Sequence, residues 1–180
     1  MRIRTGKYRN RNLHLPRGIR PTQEKVRKAV FDILGDIEGL GFLELFAGSG
    51  AVGFEALSRG VGELTLVECN RDAVLAIKKN LAMLNPDNCT LYHLDADKAF
   101  KLLSLHKKYF NLIFVDPPYR QEMGKKILQT LEAYDILAPY GLVIVQHSSD
   151  ESLPQETLNL SLIKEAKYGD TWLSIFRKKE

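Results

Sequence analysis

A chain of 180 residues has room for one domain with a substantial hydrophobic core. Its residues are 44% hydrophobic and 27% charged, which excludes a disordered protein, and it has no apolar run of ~18 residues, which excludes a transmembrane helix. The amino terminus lacks the apolar core of a signal peptide, and the two cysteines have neither metal-type nor disulfide-framework spacing. We therefore expect a cytoplasmic protein with no membrane partner.

The net charge of +4 is unevenly distributed along the chain. Residues 1–28 contain ten lysines and arginines against one acid, Glu24, whereas the remaining residues carry 16 basic and 21 acidic side chains. A basic segment on a mildly acidic body favours a polyanion partner, most simply nucleic acid. A solvated basic terminus is the alternative interpretation.

The amino-terminal section predicts a small arm followed by a helix. Residues 2–16 alternate around turn-forming residues and predict a short twisted hairpin. After Thr22, the expected N-cap, apolar residues recur at helical spacing until Gly35, the expected terminator. The basic residues of this helix, Arg27 among them, are expected to lie largely off its buried stripe.

Strands and helices alternate regularly after residue 40. Strands are predicted at 42–46, 63–68, 89–94, 110–115, 141–147, 160–168 and 172–179, and helices at 51–60, 71–84, 97–105 and 124–134. This alternation predicts an α/β fold with right-handed crossovers and a mostly parallel, seven-stranded sheet. The tight turn at Gly169–Asp170 predicts an antiparallel C-terminal hairpin at one edge.

The first strand of this region runs into a glycine-rich turn, "ELFAGSG". Gly48 and Gly50 leave the backbone open to a ligand, and the helix that follows points free N–H groups there, where an anionic group would fit. Such a turn is by itself often only structural. Here Glu44 precedes it, and Glu68 ends the next strand about 20 residues on, where an acid commonly bonds ribose hydroxyls. Together these features indicate a nucleoside cofactor.

The acid ahead of the glycines narrows the choice of nucleoside. Glu44 would repel a pyrophosphate but would pair with an ammonium group. A ligand with adenosine at one end and an amino acid at the other satisfies both Glu44 and Glu68, and S-adenosylmethionine is such a ligand. Asp95 ends the third strand, where it can reach an adenine ring or simply cap the next helix.

The strand at 110–115 ends in the tetrapeptide "DPPY". The prolines fix φ and leave carbonyls free, Asp116 supplies acceptors when it is ionised, and Tyr119 supplies a flat face. Two acceptors and an aromatic plane form a receptor for a nucleobase that carries an amino group, although a rigid loop is the simpler alternative. Aligning such an amine with a methyl donor is mostly positioning and requires no metal. The four scattered histidines contain no i, i+4 pair, so no metal site is expected.

Four motifs, in this order and spacing, resemble Class I S-adenosylmethionine-dependent methyltransferases of the amino-methylating type: "ELFAGSG", "LVECN", "LDAD" and "FVDPPY". The longer segments "RIRTGKYRNRNLHLP", "RPTQEKVRKAVFDIL", "LFAGSGAVGFEALSRG" and "YGDTWLSIF" resemble the RsmD family of bacterial 16S ribosomal RNA guanine-N2 methyltransferases. The similarity covers nearly the whole chain. It implies a Rossmann-like Class I methyltransferase fold.

The resemblance also implies roles for individual residues. The expected S-adenosylmethionine-binding residues are Glu44, Phe46, Ala47, Gly48, Ser49, Gly50, Glu68, Cys69, Asp95 and Ala96. The expected catalytic loop consists of Asp116, Pro117, Pro118 and Tyr119. RNA contacts are expected from Arg2, Arg4, Lys7, Arg9, Arg11, Arg20 and Lys25. Cys69 follows Glu68 and could line the cofactor pocket, although a small buried residue is the interpretation that we favour.

The expected organisation is a basic RNA-binding arm and helix in residues 1–35 and a methyltransferase domain in residues 36–180. The expected partner is 16S ribosomal RNA or a small-subunit assembly particle, bound by a monomer. A DNA adenine-N6 methyltransferase can use the same tetrapeptide, but the chain has no residues left over for a duplex-reading domain. A protein glutamine methyltransferase would more typically have Asn in place of Asp116. A non-catalytic RNA-binding protein with this fold would not need the acids and the tetrapeptide.

Overall fold

The structure is a computed structural model that describes residues 1–18, 22–118 and 122–179. Its elements are α1 (Glu24–Leu34), β1 (Gly41–Leu45), α2 (Ala51–Ser58), β2 (Glu63–Glu68), α3 (Arg71–Leu84), β3 (Cys89–His93), α4 (Ala96–Leu105), β4 (Phe110–Val115), α5 (Met123–Tyr134), β5 (Leu137–Ser148), β6 (Leu160–Tyr168) and β7 (Thr171–Lys178). Across these described ranges, no helix has the length and apolar character needed to cross a bilayer.

The strands form one seven-stranded sheet in the order β3-β2-β1-β4-β5-β7-β6. Strands β1 to β5 pair in parallel, whereas β7 runs antiparallel to both β5 and β6. The predicted mostly parallel sheet and the predicted C-terminal hairpin are therefore confirmed. The strand order reverses between β1 and β4, and ligands of such sheets bind beyond the carboxyl ends of the strands at that point.

Strand β5 differs most from its prediction, because it begins at Leu137 rather than at Gly141. Pro139 and Gly141 indicate a turn in the sequence, yet the strand continues through them as a bulge. The pairing with β4 shifts register there, and Tyr140 between them has a φ of 58°. Proline has no N–H group to donate to a neighbouring strand. A bulge is one of the few positions in a strand where that bond is not needed.

The two faces of the sheet are covered by different helices. The amino-terminal arm, α1, α2 and α3 pack on one face, with Val30, Phe54 and Ile77 in the core that they share. Helices α4 and α5 pack on the other face, where Phe100 and Leu128 are completely buried. The basic arm and the helix that follows the glycine turn therefore lie on the same side of the molecule.

The arm is a short hairpin, as predicted, and it is docked rather than free. The Ile3 N–H donates to the Arg11 carbonyl at 3.0 Å, and the Asn10 N–H donates to the Ile3 carbonyl at 2.9 Å. Ile3 and Leu13 are buried in the core beneath the arm. The alternation of this segment thus places apolar side chains inward while its arginines face solvent.

Helix α1 confirms one predicted boundary and corrects two other predictions. Gly35 ends the helix with a φ of 70°. The prediction that Thr22 is the N-cap is wrong, because Gln23 occupies that position and makes no side-chain capping bond. The prediction that Arg27 lies off the buried stripe is also wrong, since Arg27 is 1% exposed. The arm covers this flank of α1, and the Arg27 Nη2 donates to the Arg2 carbonyl at 2.8 Å.

Candidate active site

The glycine turn after β1 has an unusual backbone conformation. Phe46, Gly48 and Gly50 have φ values of 57°, 55° and 71°, all in the left-handed region. A β-carbon on Gly50 would lie 2.7 Å from the ring of Phe54, so the position also requires glycine for space. Left-handed conformations of residues other than glycine cluster at ligand sites, and Phe46 is such a residue.

Glu44 is buried directly beneath the start of α2. Its Oε2 accepts a hydrogen bond of 2.7 Å from the Gly53 N–H in the first turn of that helix. A β-carbon on Gly53 would lie 2.6 Å from this same oxygen and 2.6 Å from a methyl group of Leu66. The glycine inside the helix therefore lets the carboxylate reach the backbone. An interior helical glycine is a sequence signal for such close approach.

Glu68 binds the glycine turn from the neighbouring strand. Its Oε2 accepts from the Gly48 N–H at 2.7 Å, and its Oε1 accepts from the Asn70 N–H at 2.7 Å. Two N–H groups of the turn and of the helix that follows, those of Gly48 and Gly53, therefore already bond the carboxylates of Glu68 and Glu44. A ligand that presents hydroxyl or ammonium donors can use the remaining lone pairs of these carboxylates.

Asp116 lies at the same edge of the sheet as the glycine turn. Strand β4 pairs with β1 up to Val115 opposite Leu45, so Asp116 follows at the position next to the turn. Burial raises the pKa of Asp116 to about 7, which a hydrogen bond of 3.4 Å from the Thr22 hydroxyl partly opposes. The residue that was predicted to cap α1 therefore contacts the predicted catalytic carboxylate.

Three carboxyl groups share one electrostatic environment at this edge. Burial raises the pKa of Glu44 to about 8, the Gly53 N–H opposes this effect, and the charges of Asp116 and Glu68 raise the pKa further. The acids predicted around the glycine turn and the acid of the tetrapeptide are thus brought together. Such a cluster of carboxyl groups favours a cation or a set of hydrogen-bond donors over an anion.

The rest of the tetrapeptide is only partly described. Pro117 is buried and Pro118 is exposed immediately after Asp116. The predicted stacking residue Tyr119 lies outside the described residues, as does the predicted RNA-binding residue Arg20.

The residues predicted at the adenine have other local roles as well. Asp95 is the N-cap of α4, where Oδ1 accepts from the Lys98 N–H at 2.9 Å and Oδ2 pairs with Lys98 Nζ at 2.9 Å. The hydrogen bond from Lys98 lowers the pKa of Asp95. Ala96 is buried at the start of α4. Cys69 is exposed rather than buried, so the expectation for this side chain is wrong; its carbonyl bonds His93 Nε2 at 3.1 Å.

The predicted RNA-binding side chains form an exposed basic surface. All of those that the structure describes are exposed: Arg2, Arg4, Lys7, Arg9, Arg11 and Lys25. Arg4 also pairs with Glu24 of α1 at 2.7 Å, with both side chains more than half exposed. Such an exposed pair contributes little to stability and can exchange for a phosphate contact.

Asn80 connects the arm to the glycine turn, a role that the sequence did not predict. Its Oδ1 accepts from the His14 N–H at 2.7 Å, and its Nδ2 donates to the carbonyls of His14 at 3.0 Å and Ser49 at 3.4 Å. The side chain is completely buried. A signal was present, because residue 80 follows Ala73, Ala76 and Ile77 on the apolar stripe of α3, where an unpaired amide would be costly.

Glu55 is a second buried anchor for the arm that was not predicted. Its carboxylate accepts hydrogen bonds from the Arg4 N–H at 2.8 Å, the Thr5 N–H at 3.2 Å and the Thr5 hydroxyl at 2.9 Å. It lies in α2, all of whose residues are buried. A charged residue in such an apolar helix indicates a buried polar contact, although it does not identify the partner.

The raised pKa values of Glu44 and Asp116 predict how stability depends on pH. The folded chain keeps these protons at pH values where the unfolded chain has lost them, so the free energy of unfolding should fall from about pH 4 to about pH 8 and then level off. Glu44→Gln keeps an oxygen for the Gly53 N–H but cannot titrate, so it should flatten this fall. Denaturant unfolding across this range measures the effect, with Glu63→Gln, at a side chain that is about half exposed, as control. A variant curve as steep as that of the wild type would contradict the assignment.

The comparisons with known proteins agree with this geometry. A family model described as Conserved hypothetical protein 95 matches residues 1–177. The chain is 34% identical over 181 residues to the Ribosomal RNA small subunit methyltransferase D of Escherichia coli strain K12, covering 99% of this chain and 90% of that protein. It is 30% identical to the protein of the same name from Haemophilus influenzae, over 94% of this chain and 89% of that protein.

Solved structures show the same architecture over nearly the whole chain. The Escherichia coli protein yhhF has a TM-score of 0.88 at 34% identity, covering 99% of this chain and 98% of that chain. The Thermus thermophilus hypothetical protein TTHA0928 has a TM-score of 0.85 at 32% identity, covering 97% and 98%. The predicted Rossmann-like Class I methyltransferase fold is therefore confirmed. The chain belongs to the family described as Conserved hypothetical protein 95, which is the RsmD family that its motifs resemble.

Proposed function

We propose that this protein transfers a methyl group from S-adenosylmethionine to the exocyclic N2 amine of a guanine in 16S ribosomal RNA. In this proposal, residues 1–35 bind RNA and residues 36–180 carry out the transfer. The protein acts as a monomer in the cytoplasm, on naked 16S RNA or on a small-subunit assembly particle. The names of two relatives, the Ribosomal RNA small subunit methyltransferases D of Escherichia coli and Haemophilus influenzae, support an RNA substrate.

The convergence of Glu44, Glu68 and Asp116 at the switch point of the sheet carries the proposal. A dinucleotide would bring a pyrophosphate to a turn where Glu44 and Glu68 already accept from the N–H groups of Gly53 and Gly48, and where both carboxylates would repel it. S-adenosylmethionine instead brings an ammonium group, ribose hydroxyls and a methyl group bonded to a positively charged sulfur. Each of these matches a carboxylate-lined crevice.

The carboxylates of the crevice divide between the two ends of the cofactor. Glu44 pairs with the ammonium group, and a neighbouring cation lowers the pKa of this buried carboxyl back toward its ionised form. Glu68 accepts hydrogen bonds from the ribose hydroxyls with the lone pairs that Gly48 and Asn70 leave free. Asp95 and Ala96, at the start of α4, lie beside the adenine.

Asp116 and the carbonyl of Pro117 hold the amine of the target base. An exocyclic amine is a weak nucleophile because its lone pair is conjugated with the ring, and two acceptors on its hydrogens favour the pyramidal nitrogen that can attack. As the nitrogen becomes positively charged, the adjacent carboxylate stabilises it. With a pKa of about 7, Asp116 can also accept the released proton near neutral pH. The Thr22 hydroxyl orients this carboxylate.

The proposal is tested by methylating RNA from cells that lack this protein. Purified protein and S-adenosylmethionine with a labelled methyl group are incubated with naked 16S RNA, with small-subunit particles and with duplex DNA. We expect label in N2-methylguanosine, located by nuclease digestion and mass mapping, with at least one of the two RNA substrates. Label at adenine N6 of DNA would favour the DNA enzyme instead. Retention of S-adenosylmethionine without any transfer to RNA or DNA would also refute the proposal.

The arm contacts the end of α2 so closely at Gly6 that alanine cannot be accommodated there. A β-carbon on Gly6, which has a φ of 75°, would lie 1.6 Å from the Ser58 carbonyl oxygen, to which the Lys7 N–H donates. Gly6→Ala should therefore displace the arm and weaken RNA binding at least about 10-fold, without changing the affinity for S-adenosylmethionine. The displaced basic side chains would no longer act together on one RNA.

A matched control for Gly6→Ala lies in the same segment. Gly18 has a φ of 72°, yet a β-carbon there would meet nothing within 4 Å. Gly18→Ala therefore reproduces the backbone strain, about 1 kcal/mol, without the collision. Filter-binding or anisotropy measurements compare the two variants. Equal RNA affinities would show that docking of the arm on α2 does not matter for RNA binding.

A further inference from the structure

A large surface cavity separates the arm from α1 and the end of α2. We call it the arm groove. Its volume is about 930 Å³, and its lining includes Arg4, Arg9, Lys25, Lys28, Phe31 and Arg59. None of the carboxylates of the candidate active site lines it. The volume lies in the range of sites that enclose a single small molecule, which suits one nucleotide better than a duplex.

The arm groove is positively charged. Six basic and three acidic side chains line it. Each of the three acids forms an ion pair with one of the basic side chains. The pairs are Arg4–Glu24 at 2.7 Å, Lys28–Asp32 at 2.5 Å and Arg59–Glu55 at 3.4 Å. The other three basic residues, Arg9, Lys25 and Arg27, form no ion pair with any residue in the described ranges. Arg9 and Lys25 are exposed, whereas Arg27 is buried. The groove therefore offers two cations to an incoming phosphate.

One wall of the arm groove carries a stacked cation. The Arg59 guanidinium lies over the ring of Phe31, 4.4 Å from its centroid. Phe31 is 1% exposed, so Arg59, whose side chain is 25% exposed, presents the accessible surface of this pair. A guanidinium is planar, and one that is held over an aromatic ring can serve as a platform on which an unpaired base stacks. This feature distinguishes the groove from a surface that only attracts phosphates.

The arm groove begins beside the catalytic edge of the sheet. Thr22 contacts Asp116, and Glu24, which lines the groove, follows two residues later. Two residues of chain span at most about 7 Å. Phe31, which carries Arg59, follows Glu24 by seven residues of α1, about 10 Å along the helix axis. A nucleotide stacked on Arg59 is therefore within a few nucleotides, along the RNA strand, of a base held at Asp116.

We propose that the arm groove binds an unpaired RNA nucleotide that flanks the target guanine. Its base stacks on Arg59 and its phosphate lies between Arg9 and Lys25. This inference rests on the proposed function, since it assumes an RNA substrate. It adds a specific contact to the general basic surface of the arm. It also assigns a role to Arg59, which lies outside the arm and α1.

Two substitutions separate stacking from charge. Arg59→Lys keeps the charge but removes the plane, so it should weaken binding of a 16S RNA fragment about 5- to 100-fold, the range expected for loss of one base stack, with an unchanged salt slope. The double variant Arg9→Gln with Lys25→Gln should reduce the slope of log affinity against log salt by about two. Fluorescence anisotropy over a salt series measures both effects. Equilibrium dialysis with S-adenosylmethionine verifies that each variant is folded.

Matched controls and outcomes make the test decisive. Arg177→Lys on β7 and Lys101→Gln on α4 change exposed basic residues that do not line the groove, and they should bind RNA as the wild type does. An Arg59→Lys variant with wild-type affinity would overturn the stacked base. A double variant with the wild-type salt slope would overturn the phosphate contact. Methylation of guanine by the wild-type protein tests the proposed function separately, so either failure leaves that result intact.

Discussion

Asp116→Ala is expected to reduce kcat for methyl transfer by about 10²- to 10⁴-fold. The substitution removes the acceptor that holds the amine and the negative charge that stabilises the developing cation. Binding of S-adenosylmethionine should remain, because Glu44 and Glu68 keep their contacts with the glycine turn. Single-turnover assays with the methylated RNA product as readout, together with equilibrium dialysis, measure the two effects. Near-normal turnover in this variant would refute the role assigned to Asp116.

The fold should tolerate this substitution. Burial raises the pKa of Asp116 to about 7, which means that the folded chain disfavours the ionised side chain. Above that pH, removal of the carboxylate relieves an unfavourable buried charge, so Asp116→Ala should be at least as stable as the wild type at about pH 8. A loss of activity that came with a large loss of stability would point to unfolding instead.

Asp116→Asn separates the acceptor from the charge. Asparagine keeps one acceptor oxygen but neither ionises nor takes a proton, so its activity should lie between those of the wild type and the alanine variant. The wild-type rate should rise with pH and reach a plateau above about 7, the pKa of the carboxyl before the substrate binds. The asparagine variant should lack this rise. A wild-type rate that is independent of pH between about 6 and 8 would exclude ionisation of Asp116 as the controlling step.

Local patterns in the sequence were sufficient to predict the sheet and to identify the acids of the candidate site. Short apolar runs predicted the strands, and the segments of helical spacing between them predicted the helices. Parallel strands bring their carboxyl ends to one edge of the sheet. For this reason Glu44, Glu68 and Asp116 could be placed together from the order of the residues alone. The same reasoning failed for strand β5, where Pro139 and Gly141 indicated a turn but a bulge absorbs them.

Contacts between residues distant in sequence could not be predicted. The Thr22 hydroxyl reaches Asp116, 94 residues away, and the Asn80 side chain reaches His14, 66 residues away. A polar residue on an apolar stripe shows that a partner exists, because burial without one would be costly. The identity of that partner depends on how the arm folds back onto the helices. The prediction that Arg27 lies off the buried stripe failed for this reason, since no pattern in the neighbouring sequence shows that the arm covers it.

Helix α2 joins the two halves of the proposed site. Its first turn is held by Glu44 beneath the glycine turn, and its last residues bind the arm through Glu55 and Ser58. The glycine turn and the arm therefore meet opposite ends of one short, fully buried helix. The stability of the docked arm thus depends on the Glu55 carboxylate, which lies outside the candidate active site.

Glu55→Ala should be the most destabilising of these substitutions, with about 3–5 kcal/mol lost from the free energy of unfolding. The Glu55 carboxylate accepts hydrogen bonds from the backbone of Arg4 and Thr5, and its charge also favours the buried Arg27 guanidinium. Arg27 already has one buried nitrogen, Nη1, without a partner among the described residues. Without Glu55, a nearly completely buried cation would lose its strongest favourable interaction and the arm would lose its anchor. Denaturant unfolding measures the loss.

Glu63→Ala is the matched control, because it removes the same side chain from an ion pair that is about half exposed. Glu63 pairs with Lys108 at 2.7 Å with both side chains 43% exposed, and such pairs contribute about 0–1 kcal/mol. A second variant, Glu55→Ala with Arg27→Met, removes both buried charges and should recover part of the lost stability, since an apolar side chain of similar length needs no partner. Equal destabilisation by Glu55→Ala and Glu63→Ala, or no recovery in the double variant, would show that the buried charges do not govern docking of the arm. Recovered stability without recovered RNA affinity would instead confirm that the Glu55 hydrogen bonds, and not the charge balance alone, hold the arm where RNA needs it.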